Sequence, residues 1–151
     1  MALVEDIAAI AAINRGIPGV NAAYDSTNMP QDINVLPCAL VIVAPGAWGR
    51  FHQDEFVIRV YVAEVSNGNP ATAYAACVQL LDAFQSTYQR IASINERPLV
   101  QGAHGPAKSP TGLGSSGFYY TQSWSGRTFY GFEVFLPLGP RSPLVVPTVH
   151  A

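Results

Sequence analysis

Charge is scarce in this sequence. Asp, Glu, Lys and Arg make up 12% of its 151 residues, against roughly 25% in an ordinary soluble domain. Lysine is nearly absent, with Lys108 alone among arginines. Eight Lys plus Arg against ten Asp plus Glu give a formal net charge of −2. With no basic block, we expect no direct electrostatic grip on nucleic acid. The two cysteines, Cys38 and Cys77, stand far apart, and neither has a second cysteine at metal spacing. We read them as buried free thiols, compatible with a reducing cytoplasm. There is no Walker loop, dinucleotide glycine fingerprint, HExxH or CxxC, and no GxSxG elbow to anchor a hydrolytic triad. The opening MALVEDIAAIAAI is apolar but broken by Glu5 and Asp6, with no basic residue before them. We therefore expect neither a signal peptide nor a membrane span there.

Apolar residues, by contrast, are present at an ordinary 49%, so the deficit lies in surface charge and not in an oversized core. Surfaces depleted of charge are characteristic of area buried against partners, and the composition points to a chain that lives in an assembly. Arginine in place of lysine suits planar, bidentate interface contacts; the codon bias of a GC-rich genome explains the same preference equally well. The length favours one domain with its own core.

Ala2–Arg15 has helical spacing, with Leu3, Ile7, Ile10 and Asn14 on one stripe, Val4, Ala8 and Ala11 beside it, and Gly16 and Pro18 as its stop. An ordered loop follows to Pro37. CALVIVA, Cys38 to Ala44, is an apolar run of strand length, and PGAWG supplies a turn. In FHQDEFVIRVYVAE, Phe51 to Glu64, one alternating face carries Phe56, Ile58, Val60 and Val62. These two strands form a hairpin. Asn69 reads as an N-cap and Pro70 as the first helical residue. The helix that follows runs to about Ile91, with a core stripe of Tyr74, Cys77, Val78, Leu81, Phe84, Tyr88 and Ile91. Gly, Pro, Ser and Ala dominate residues 97–117, a segment too long for an idle connection. FYYTQSW then turns at Ser125 and Gly126 into RTFYGFEVFLPL, Arg127 to Leu138, and residues 139–151 form an extended proline-rich arm.

This order predicts an α+β fold in two layers: a mostly antiparallel sheet with both helices packed on one face. Residues 1–138 form the domain and 139–151 the arm. The last strand then poses a problem, because its aromatics fall on both faces, Phe129 and Phe135 on one, Tyr130 and Phe132 on the other. Something must cover the face the helices leave open. A neighbouring subunit or the long segment could do so, which makes the strand a candidate ring seam, with Gly131 marking a bulge or close approach.

Chemistry is thin. His52 and Asp54 share a strand face with Glu55 beside them, but a third ligand is missing. LGSSG, Leu113 to Gly117, could cradle a phosphate with backbone donors, yet strand and not helix follows it. We expect no catalytic, cofactor or metal site. Trp48, Arg50 and Phe51 at one hairpin tip and Tyr119 and Tyr120 on the other are residue types that anchor interfaces. Arg127, Phe129 and Phe135 complete the set of candidate interface residues.

Several stretches together resemble the tail terminator (tail completion) proteins of long-tailed, lambda-like bacteriophages. They are IPGVNAAYD after a short helix, LPCALVIVAPG, FVIRVYVAEVSNGNP, the helix AYAACVQLLDAFQSTYQRI and the closing FYGFEVFLPL. The resemblance covers most of residues 1 to 138. It implies a non-catalytic six-membered ring that caps the head-proximal end of the tail tube, stops tube polymerisation and meets the neck or connector. Its partners would be further copies of itself, the tube protein and the neck protein, with DNA only passing through the lumen and no membrane involved. It implies a place in the virion, and in the host cytoplasm during assembly. The Gly/Pro-rich segment and the C-terminal arm depart from the family pattern. Deleting Gly102 to Ser116 is expected to leave the monomer folded and impair assembly. Alternatives are another head–tail joining protein, such as a neck stopper or adaptor, and a small-ligand-binding α+β module.

Overall fold

The computed structural model describes residues 2–47, 53–66, 68–99, 114–115 and 120–140. The elements are α1 (Ala2–Arg15), β1 (Ala22–Tyr24), β2 (Cys38–Ala47), β3 (Gln53–Glu64), α2 (Pro70–Tyr88), β4 (Ser93–Ile94), β5 (Arg97–Pro98), β6 (Gly114–Ser115), β7 (Tyr120–Trp124) and β8 (Arg127–Leu138). This is an α+β arrangement with a mostly antiparallel sheet. The sheet runs β1-β2-β3-β8-β6, and β7 lies beside β6 along the same edge of β8. Only the β1–β2 pair is parallel.

Local chemistry accounts for the punctuation. Asn69 caps α2, its Oδ1 accepting from the backbone N–H groups of Ala71 and Thr72 at 2.9 and 3.3 Å, with Pro70 at the first helical position. Ser125 and Gly126 have φ of 53° and 80° and join β7 to β8 through the tight turn that a two-residue hairpin requires. Asn95 and Glu96, with φ of 51° and 65°, make a second such turn between β4 and β5. That small hairpin is not signalled by hydrophobic alternation, and we do not read it from the sequence.

One apolar cluster joins Ile7, Ile10 and Ala11 of α1 and Cys77, Leu80, Phe84 and Tyr88 of α2 to the sheet. The sheet contributes Ala39 and Val41, then Phe56, Ile58, Val60 and Val62, then Phe132, Val134, Leu136 and Leu138. Phe84 meets Phe132 edge to face at 5.8 Å, the favoured geometry for two rings. The face expected for β3 is therefore buried throughout. The register slips between Tyr61 and Ala63, so that Val62 is an extra residue opposite the Gly131–Tyr130 step of β8. The bulge keeps Val62 in the core while moving Glu64 to the opposite face beside Phe129.

The stripe expected for α2 is rotated. Ala73, Cys77, Leu80, Phe84 and Tyr88 are its buried residues, whereas Tyr74 is 46% and Val78 40% exposed. The helix also stops at Tyr88, short of Ile91. On α1, Asp6 is fully buried and Val4 is 45% exposed.

The other face of the sheet answers the question that β8 raised. Cys38, Leu40, Tyr61 and Phe129 form a second cluster with Ile33, and Met29, Leu36 and Trp124 pack against it. The chain's own loop between β1 and β2 thus supplies cover at this end. Further along, Val57 and Phe135 pair directly in a small third cluster.

Candidate protein interface

The loop that closes the second face carries three apolar anchors, Met29, Ile33 and Leu36, among polar ones. Asp25 folds it on itself, its Oδ1 accepting from the N–H and hydroxyl of Thr27 at 2.8 and 2.6 Å, while Asn28 accepts from the Asp25 N–H at 2.7 Å. Hydrogen bonds from Thr27, helped by Arg15, hold the Asp25 carboxyl below its ordinary value. The loop is then clamped from the sheet. Trp124 donates its indole N–H to the Pro30 carbonyl at 3.2 Å. Arg127 donates to the Ile33 carbonyl and to Asp32 at 2.8 and 2.7 Å. The same guanidinium grips Glu64 with two bonds of 3.0 and 2.8 Å and lies 5.3 Å over the Phe129 ring. Hydrogen bonds with Arg127 lower the Glu64 carboxyl pKa, and the bonds with Glu64 and Asp32 raise that of Arg127. Between the two apolar clusters, Arg59 donates to Glu133 at 2.8 Å and to the Tyr61 hydroxyl at 3.3 Å.

This geometry reassigns three candidate interface residues. Phe129 is fully buried, edge-on to Tyr61 at 5.2 Å and under Arg127. Its ring has no area to offer a partner. Phe135 is 3% exposed against Val57. Arg127 spends its donors within its own chain. β8 itself is an interior strand, paired with β3 on one side and with β6 and β7 on the other, so it is not a seam between subunits. Trp48, Arg50, Phe51 and Tyr119 lie outside the described residues, as does His52. Of Tyr120 only the backbone is described, paired with Gly131.

Sequence reading also missed a buried ion pair. Arg97 donates to Asp6 at 2.9 Å and to the carbonyls of Gly139 and Leu138 at 2.6 and 3.1 Å, and its guanidinium lies 5.7 Å from the Phe56 ring centre. Asn95 donates to the second Asp6 oxygen at 2.6 Å. Every strong partner of this pair comes from a distant part of the chain, so spacing gives no signal for it.

Among the described residues no three or more His, Cys, Asp or Glu side chains gather as a metal would require. Burial pushes the Cys38 thiol up to about 12 and the Cys77 thiol up to about 11, which leaves both protonated and unreactive at neutral pH. No described helix is long and apolar enough to cross a membrane. A groove of about 390 Å³ runs between Pro18, Gly19 and Pro37 on one side and Ala76, Gln79, Leu80 and Ala83 of α2 on the other. Its lining offers one polar side chain, Gln79, where a small-molecule site needs several that converge. The exposed apolar surface instead includes Tyr74 and Val78, one turn apart on α2, with Val4 and Val35 elsewhere. No family model, curated protein or solved structure matches this chain.

Proposed function

We propose that this chain is a non-catalytic structural protein, a tail terminator of a long-tailed bacteriophage. It forms a six-membered ring on the head-proximal end of the tail tube, stops further tube polymerisation and joins the tail to the neck or connector. Its partners are other copies of itself, the tube protein and the neck protein; DNA passes through the lumen, and no cofactor or membrane takes part. The observation that carries the reading is the order of the resembling stretches, which become helix, strand pair, helix and strand pair in one α+β domain. The 12% charge content and the apolar side chains exposed on α2 support it, because a closed ring needs two different adhesive surfaces on every subunit.

Light scattering of the purified chain, alone and with isolated tail tubes, tests the reading. The expected result is a ring-sized mass bound to tubes and a protein retained on headless tails in micrographs. A protein found only on heads would make it a neck stopper or adaptor. A strict monomer that never binds tubes would end the proposal.

A further inference from the structure

Side chains, and no backbone ladder, bind the loop between β1 and β2 to the sheet. Strand pairing stops at Tyr24 on β1 and resumes at Cys38 on β2. Between Ser26 and Leu36 the described backbone-to-backbone bonding is a single contact inside the loop, from the Asn28 N–H to the Asp25 carbonyl at 3.3 Å. The two ends are pinned. Where the loop departs, Thr27 and Asn28 fold back on Asp25. Where it returns, Asn21 donates its side-chain amide to the Leu36 carbonyl at 2.8 Å and its backbone N–H to the Pro37 carbonyl at 2.9 Å.

The middle is fastened from elsewhere. Two residues of the β7–β8 hairpin hold it, Trp124 at the Pro30 carbonyl and Arg127 at Asp32 and the Ile33 carbonyl. Beneath them Ile33 is the one fully buried side chain between Ser26 and Leu36, clustered with Cys38, Leu40, Tyr61 and Phe129. Fixed ends, a middle held by few groups and a latch on another element are the parts of a lid. Each face of the sheet also buries one free cysteine, Cys38 in the lid cluster and Cys77 in the helix cluster. Cys77 lies where both helices join the sheet, so reaching it takes the helix face apart. Segments with few buried apolar contacts open at free energies well below that of global unfolding.

We infer that residues 26–35 are a lid that opens as one unit in the intact chain, with Trp124 and Arg127 as its latch, while the sheet and the helix face stay closed. Opening uncovers the cluster of Cys38, Leu40, Tyr61 and Phe129 that Ile33 closes. The lid stands on contacts within one chain and is independent of the tail-terminator reading.

The two thiols report the two faces. The unaltered full-length chain is reacted with N-ethylmaleimide in rising urea below its unfolding transition, and each cysteine is followed by mass spectrometry of its peptide. Cys38 should react at least tenfold faster than Cys77. Its rate should rise weakly with urea, because opening a lid exposes little surface, while the Cys77 rate climbs with the full slope of global unfolding. Ile10→Val, in the helix face, should speed Cys77 by about two- to tenfold and leave Cys38 within twofold, since that face is intact in both the closed and the open lid. Arg127→Gln, in the latch, should speed Cys38 at least tenfold. If that variant loses its fold, Trp124→Phe, which gives up the bond to Pro30, is read in its place with at least a threefold rise expected. Equal rates and equal urea slopes for the two thiols would mean that Cys38 is reached only by unfolding, and would overturn the inference. So would a Cys38 rate that follows Ile10→Val, or one that ignores the latch variants.

Discussion

The two faces of the sheet are closed by different physics. The face toward α1 and α2 is sealed by long apolar side chains from both helices and three strands in one continuous cluster. The opposite face is sealed in pieces, by a loop with few apolar anchors, Ile33 chief among them, and by arginines that bind carboxylates and carbonyls. Apolar packing is non-directional and scales with buried area. The second closure depends on a few groups being in register. The first face should therefore resist point changes in proportion to volume lost, and the second should fail when a clamp is removed.

Five experiments would break or sharpen that contrast. Phe132→Ala on the helix face should destabilise the chain by about 3–5 kcal/mol in urea unfolding. Arg97→Met leaves Asp6 buried without its charge partner and should cost about 3 kcal/mol or more; a loss near that of an exposed pair would refute the burial argument. Arg127→Gln should have a smaller global effect and a local one. Proteolysis between residues 25 and 37 should accelerate while hydrogen exchange in α2 stays unchanged, and equal loosening of both faces would abolish the distinction. Acid should act on the loop side in the same way. The Glu64 carboxyl lies below its ordinary 4.5 and that of Asp25 below its ordinary 3.8. Their stabilisation is complete above those ordinary values and is lost as pH falls through the lowered ones. Loop exchange should therefore rise below about pH 4. Tyr74→Ser, at a 46% exposed position, should alter stability by no more than about 0.5 kcal/mol.

What could be read from the sequence follows the same division. Alternation placed Phe56, Ile58, Val60 and Val62 on the core face, and Asn69–Pro70 and Ser125–Gly126 marked a helix start and a hairpin, because each signal lies within a few neighbouring residues. The stripe of α2 failed by one position for a physical reason. Choosing the largest apolar side chains selects Tyr74 and Val78, whereas the helix turns the smaller Ala73 inward with Leu80. The role of Phe129 was hidden because Ile33, which packs with it, comes from a loop far away in sequence. Arg127 resembled an interface arginine by type alone; its partners Asp32 and Glu64 lie far off in sequence. The α+β class was legible, and the polar clamps that decide which surfaces remain free were not.

The Arg97 anchor has a further consequence for chain length. Leu99 bridges to Leu138, the Gly139 N–H donates to the Pro98 carbonyl at 2.8 Å, and Arg97 holds the carbonyls of both Leu138 and Gly139. These contacts fasten the chain into a closed loop whose two ends are held at one corner. The entropy of closing such a loop grows only with the logarithm of its length, about 0.6 kcal/mol for each doubling. Residues added between Leu99 and β6 thus cost the fold little, and whatever they are selected for can vary without disturbing the sheet. Gly139 is held at the same corner, so an insertion after Leu99 and a change at Gly139 would meet as neighbours.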